Sequence, residues 1–235
     1  MSYRFIIATS CIVLFGASAA FAQDLPAPTP LPVPVPEIEI PTTPPNPQTD
    51  DTTDALDNKN IVDQPDYSQL SAAAERQARL DDMFDRLKAA PNADDANLIA
   101  EEIWAVWLDS GSASVNLVLR RGSDAQKKGK SKLARRMYDQ VITLEPNYAE
   151  GWARSARLAL EEKNYSRSLV EATRALVEEP RHFYALWTMG NVFEQLGRQE
   201  DALEAYREAN SLYPELKAVK ERLEILEAEI EGSAL

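Results

Sequence analysis

Three prolines spaced 34 residues apart, Pro146, Pro180 and Pro214, constrain this chain more than any other feature. Proline cannot continue a helical hydrogen-bond ladder, so each marks a place where a helix must stop. Other positions keep the same step: Gly122/Ala156/Gly190, Ala134/Ser168/Ala202, Tyr138/Ala172/Tyr206 and Val141/Ala175/Ala209. A period of this length belongs to a two-helix unit that cannot bury its apolar face alone and so stacks on copies of itself. From about Ser71 onward the chain therefore reads as all-α. Glycine is scarce and falls at breaks such as Gly111, Gly129 and Gly197, and no alternating run is long enough for a strand.

The first 70 of the 235 residues read differently. Residues 1–22 have the form of a secretory signal: Arg4, an apolar stretch from Phe5, and a small-x-small cleavage pattern at Ala20-Phe21-Ala22. The expectation is export to the periplasm with cleavage near Ala22. Cys11, the one cysteine, would leave with the signal, so the mature chain has neither disulfide nor thiol chemistry. An uncleaved signal would instead tether the protein to the membrane; if it is cleaved, no stable membrane insertion is expected. Residues 23–70 are a Pro-rich and then acidic linker whose composition cannot bury enough surface to order itself. The formal net charge of −13 argues against nucleic acid as a general partner, because phosphate binding needs a positive footprint.

Residues 71–112 read as a helical pair. Leu80, Phe84 and Leu87 share one helical face, Pro91 stops that helix, and Asn92 is placed to cap the next, with Asp94 and Asp95 in its first turn. The apolar face of the pair needs a neighbour, and the expectation is that it caps the N-terminal end of the stack. Three repeats follow at about 115–148, 149–182 and 183–216. In the last, Leu186, Met189, Gly190, Phe193, Ala202, Tyr206, Ala209 and Pro214 resemble the tetratricopeptide repeat pattern. The second departs from it at Ser155 and the first at Arg121, both at a leucine position. Tyr138 and Tyr206 are expected between neighbouring hairpins. Arg121 is expected to pair with Glu102 or Asp109 of the preceding unit. Residues 217–235 carry Val219, Leu223, Leu226 and Ile230 on one stripe and read as a C-terminal capping helix.

The resemblance implies a right-handed superhelical solenoid that recognises proteins in a concave groove lined by the first helix of each repeat. Carried over residue by residue, it places Arg120, Arg154, Arg157, Tyr184, Trp187 and Asn191 on or near that groove, with Trp187 turned outward because Leu186 takes the core position. The arginines favour an acidic segment of an otherwise unknown protein or peptide. The plainer alternative is that Trp187 packs on its neighbours and the arginines pair with nearby glutamates. The carboxylate clamp of some family members is absent, since the matching positions hold Leu119, Ser123, Arg154, Tyr184 and Thr188. His182, the one histidine, stands at a repeat junction without the company that metal binding or catalysis needs. No enzyme activity and no cofactor are expected. The reading is an interaction scaffold; the alternatives are a self-associating structural protein, in contact through Trp104 or Leu108, or a membrane-tethered assembly factor.

Overall fold

A computed structural model of the chain describes residues 71–233, and the expectations for the signal and the linker lie outside them. Among the described residues there are nine helices and no strand: α1 (Ala72–Lys88), α2 (Ala93–Trp107), α3 (Ala113–Lys127), α4 (Ser131–Leu144), α5 (Ala149–Glu161), α6 (Tyr165–Glu178), α7 (Phe183–Gln195), α8 (Gln199–Leu212) and α9 (Lys217–Ser233). The repeats are the hairpins α3–α4, α5–α6 and α7–α8, each packed on the next. Caps appear where the sequence offers them. Asn92 Oδ1 accepts from the Asp95 amide at 2.9 Å, and Asn164 Oδ1 from the Arg167 amide at 3.3 Å.

The turn inside each hairpin obeys the same period. Gly129, Lys163 and Gly197 all have positive φ, at +68°, 59° and +70°. The next residue's amide then reaches back to Ala125, Ala159 or Phe193, each at 2.8 Å. Glycine adopts this backbone freely, whereas an L side chain is strained there, so the middle repeat holds its turn with an exposed lysine in the less suitable conformation.

Tyr138 and Tyr206 lie against the glycine of their own hairpin, and each also shares a buried core with the next element, Tyr138 with Leu158 and Tyr206 with Val219. A Cβ at Gly122 would meet Tyr138 Cε1 at 2.6 Å, and one at Gly190 would meet Tyr206 Cε1 at 2.4 Å. The middle repeat uses Ala156 and Ala172 at these places. Ser155 also has its explanation: Arg135 of α4 donates to Ser155 Oγ at 2.7 Å and pairs with Glu162 at 2.7 Å and Glu171 at 3.4 Å. A guanidinium from the preceding repeat thus occupies the space a leucine would fill.

At the C-terminal end α9 packs on α8, burying Val219 and Leu226, with Leu223 and Ile230 partly covered. Arg222 binds Glu194 at 2.8 Å and Arg207 binds Glu227 at 2.7 Å, tying the helix down along its wet side.

The N-terminal pair departs from expectation. It forms a hairpin with Leu80, Phe84, Leu87, Ile103, Trp104 and Trp107 buried, but it does not serve as a cap ahead of α3. Its apolar face joins one core with α7, the end of α8 and α9. Polar contacts fix the seat: Arg181 Nη1 pairs with Asp81 at 2.6 Å, its guanidinium lies 4.7 Å from the Phe84 ring centroid, and the Tyr213 hydroxyl donates to Asn97 Oδ1. Arg121 is consequently exposed and has neither Glu102 nor Asp109 as a partner. Glu102 binds Arg86 at 3.0 Å, and Asp109 accepts from Asn116 Nδ2 at 3.1 Å. A charge stands where leucine is usual because, among the described residues, no repeat covers that position.

Candidate functional site

The inner wall of the repeats is built from α3, α5 and α7, and the residues expected there fall into two groups. Arg120 is exposed on α3. Arg154, Arg157, Tyr184, Trp187 and Asn191 are buried; Trp187 retains 1% of its surface. The outward Trp187 of the sequence reading is thus corrected, and so is an exposed Trp104, which is 3% accessible. Leu108 is half-buried and packs on the core of the first repeat.

Two aromatic side chains of α2 close the wall. Trp107 stacks on His182, with ring centroids 4.2 Å apart and planes 10° from parallel. Trp104 stands edge-on to Tyr184 at 5.5 Å and to Phe183 at 5.9 Å. Such aromatic contacts add to the burial of large apolar area. Tyr184 in turn stacks on Trp187 at 5.5 Å, and the Arg157 guanidinium lies 4.6 Å from the Trp187 centroid.

Beneath the tryptophans is a buried polar trio. Glu150, on the first turn of α5, accepts from Arg154 Nε one helical turn on and from His182 Nε2 at 3.1 Å. His182 Nδ1 accepts the Ala185 amide at 3.2 Å as the cap of α7, which leaves Nε2 to carry the ring proton toward Glu150. Arg154 also donates to Ser123 Oγ at 3.2 Å and sits 5.6 Å from the Trp104 centroid. Burial alone would raise the Glu150 carboxyl, but the Arg154 charge and the His182 bond outweigh it and hold the group below its ordinary value.

The remaining polar side chains are spent locally. Asn191 Nδ2 donates to the Trp187 carbonyl at 2.7 Å, Thr188 Oγ1 to the Tyr184 carbonyl at 2.8 Å, and Arg157 Nε to Glu161 at 3.1 Å. The alternative in which Trp187 packs and the arginines pair with glutamates is what the geometry displays. The His182–Glu150 pair has an acid and an imidazole, while the nearby Ser123 hydroxyl accepts from Arg154. Among the described residues no group of three or more His, Cys, Asp or Glu could hold a metal ion.

Sequence reasoning missed the trio. Its signal was present in register: Glu150 is the second residue of the middle repeat and His182 its last, positions that stacking brings together. Trp104 and Trp107, spaced three apart beside Ile103 on one helix, equally mark a face built for burial.

This geometry defines a helical-hairpin repeat solenoid whose inner wall is filled by its own N-terminal hairpin. Comparison with known proteins agrees on the repeat fold. Tetratricopeptide repeat profiles match residues 183–216 and 119–179. A TPR repeat-containing protein of Rhizobium etli is 33% identical over 175 residues, 74% of this chain and 84% of that protein. General transcription factor 3C polypeptide 3 of Homo sapiens is 34% identical over 64 residues, 27% of this chain and 7% of that one. Among solved structures, the TPR domain of Sgt2 from Aspergillus fumigatus has a TM-score of 0.50 at 18% identity, covering 52% of this chain and 83% of that one. The chain belongs to the tetratricopeptide repeat family.

Proposed function

We propose that this protein is a non-catalytic protein–protein interaction module whose partner meets the surfaces of the solenoid that the N-terminal hairpin leaves open, the wall along α5 and α7 being reserved for that hairpin. The observation that carries this reading is the burial of Tyr184 and Trp187 in the same core as Trp104 and Trp107 of α2. Residues that would contact a groove ligand are already in contact with the chain itself. The sole histidine is held as a helix cap and a partner of Glu150, which supports the non-catalytic reading.

A second reading is that an amphipathic helix displaces the hairpin and binds the wall in its place. Two buried donors without an acceptor, Arg154 Nη2 and Trp107 Nε1, favour it, because an unsatisfied buried donor weakens the seat that holds it. A photo-crosslinking residue placed at position 187, and separately at exposed Lys128, tests both in the native cell. Partner adducts from 128 alone agree with the first reading. Adducts from 187 with retained helicity would replace it with the second.

The same proposal places the molecule in the cell envelope, on the strength of Arg4, the apolar stretch after it and Ala20-Phe21-Ala22. Purified mature protein should begin at Gln23; an intact Met1 would make it membrane-tethered instead.

A further inference from the structure

The first repeat carries cations that no acid among the described residues answers. Between Leu119 and Arg136 the chain holds eight Lys and Arg against a single acid, Asp124. Arg135 is consumed by Glu162 and Glu171. The other seven are exposed: Arg120 and Arg121 on α3, Lys127 and Lys128 at its end, Lys130 in the turn, and Lys132 and Arg136 on α4. Among the described residues none of them is within ion-pairing distance of a carboxylate. Further along the chain the opposite holds. All eight arginines from Arg154 to Arg222 pair with an acid, as do Lys217 and Lys220, and only Lys163 does not.

These charges are gathered in space as well as in sequence. The tight turn at Gly129 brings Lys127 and Lys128 beside Lys132, and at about 1.5 Å rise per residue Arg120 and Arg121 lie roughly 10 Å back along α3. That is close to one screening length, about 8 Å at physiological salt, so the fields add. The acids of the neighbouring turn are taken. Glu161 accepts from Gln126 at 2.9 Å and from Arg157 at 3.1 Å, and Glu162 binds Arg135 at 2.7 Å. In a chain of net charge −13 a cationic face does not serve solubility, which the excess of acid already provides.

We propose that this face, formed by α3 and the start of α4, docks an acidic segment of a partner protein. The inference rests on the reading of the chain as an interaction module and names the chemistry of its partner. A polypeptide fits better than nucleic acid. A long polyanion would be repelled by the acidic remainder of the molecule, and the single aromatic of α3 and α4, Tyr138, is buried and offers no base a stacking platform.

The test uses the full chain and a labelled short peptide of alternating Asp and Glu, followed by fluorescence anisotropy. Saturable binding is expected, weakening as salt rises. The double reversal K127E/K128E should bind about tenfold more weakly or worse, while R79E/K88E, an equal charge change on exposed residues of α1, should bind as the parent does. Circular dichroism confirms that both variants stay helical. The proposal is overturned if the peptide does not saturate, or if both variants lose affinity equally. It is also overturned if a single-stranded oligonucleotide or a phosphatidylglycerol vesicle binds the face more tightly. Replacing Asp50, Asp51, Asp54 and Asp57 with Asn checks the chain's own acidic run; a marked gain in peptide affinity would make that run the occupant and exclude a separate partner. Cell crosslinks from outer positions away from α3 and α4, with no peptide binding, would sink this docking site and leave the interaction-module reading standing.

Discussion

His182 joins two repeats: its Nε2 meets Glu150 Oε2 at 3.1 Å while its Nδ1 accepts the Ala185 amide at 3.2 Å. One imidazole therefore caps α7 and neutralises part of the cost of burying a carboxylate on α5. Removing one member of such a set leaves the others buried and uncompensated, which is costlier than never having had the set. Glu150→Gln should lower stability by about 3–5 kcal/mol in urea denaturation, because Arg154 loses its counter-charge. A loss near zero would mean that the trio adds nothing to the fold.

The same carboxyl sets a pH dependence. Its folded value lies below the ordinary 4.5, so its contribution is complete above about pH 4.5 and is lost as pH falls through the depressed folded value. Glu194 has the opposite sign: burial first, opposed by the Arg222 bond, raises it, so its part of the stability grows as pH falls through that raised value. Thermal unfolding of the parent should decline on acidification below about pH 4.5, and Glu150→Gln should show a shallower decline. Parallel acid limbs in the two proteins would exclude Glu150 as the cause.

Lys163 offers a stabilising change. It has φ of 59° and an exposed side chain at the place where the other two repeats have glycine. Lys163→Gly should raise stability by about 1 kcal/mol, the strain of a left-handed residue less the extra freedom glycine has when unfolded. Differential scanning calorimetry gives the answer directly, and a lower melting temperature would show that the lysine side chain has a role in the turn.

Gly190 tests the packing inside a hairpin. An added methyl would come within 2.4 Å of the Tyr206 ring, so Gly190→Ala should cost about 1–3 kcal/mol despite the better helix propensity of alanine. Ala156→Gly at the equivalent position of the middle repeat should cost only the propensity difference, about 1 kcal/mol. Equal losses at the two positions would contradict the role given to Tyr206.

Trp104→Ala should loosen the hairpin. The side chain touches Tyr184, Phe183, Trp107 and His182, and truncating so large a buried aromatic typically removes about 3–5 kcal/mol. Limited proteolysis within Leu108–Ser112 should become faster than in the parent, whereas the turn at Gly197 should be cut as slowly as before. Cleavage unchanged at both places would show that the hairpin seat does not depend on this ring.

Much of this architecture was legible in the chain because repetition writes the same constraint three times. Pro146, Pro180 and Pro214 set the helix ends, Gly122 and Gly190 set the close approach, and Asn92 marked a helix start that the structure places at Ala93. What repetition does not encode is where a non-repeating piece attaches. The faces of α1 and α2 show that they must be buried, but periodicity names no surface for them, and the nearest in sequence was not the one used. The inner wall was misjudged for the same reason: Trp187 occupies a position that is open in a bare stack and closed once Trp104 and Trp107 arrive. Arg121 became legible only afterwards, as the mark of an uncovered end.

A stack of repeats ordinarily holds together through neighbours alone, so it can fray from either end one unit at a time. Here Asp81 meets Arg181, 100 positions further on, and Asn97 meets Tyr213 across 116. Closing loops of that length is entropically slow and can occur only after the later repeats have formed the surface to be met. During synthesis the hairpin emerges first and must wait with its tryptophans exposed until α7 and α8 follow. Once seated, it couples α1 and α2 to the last repeat, so that melting of that repeat should also release these two helices. A hairpin seated on the later repeats should therefore make α1, α2 and α7–α9 open together, where a bare array would unfold in stages.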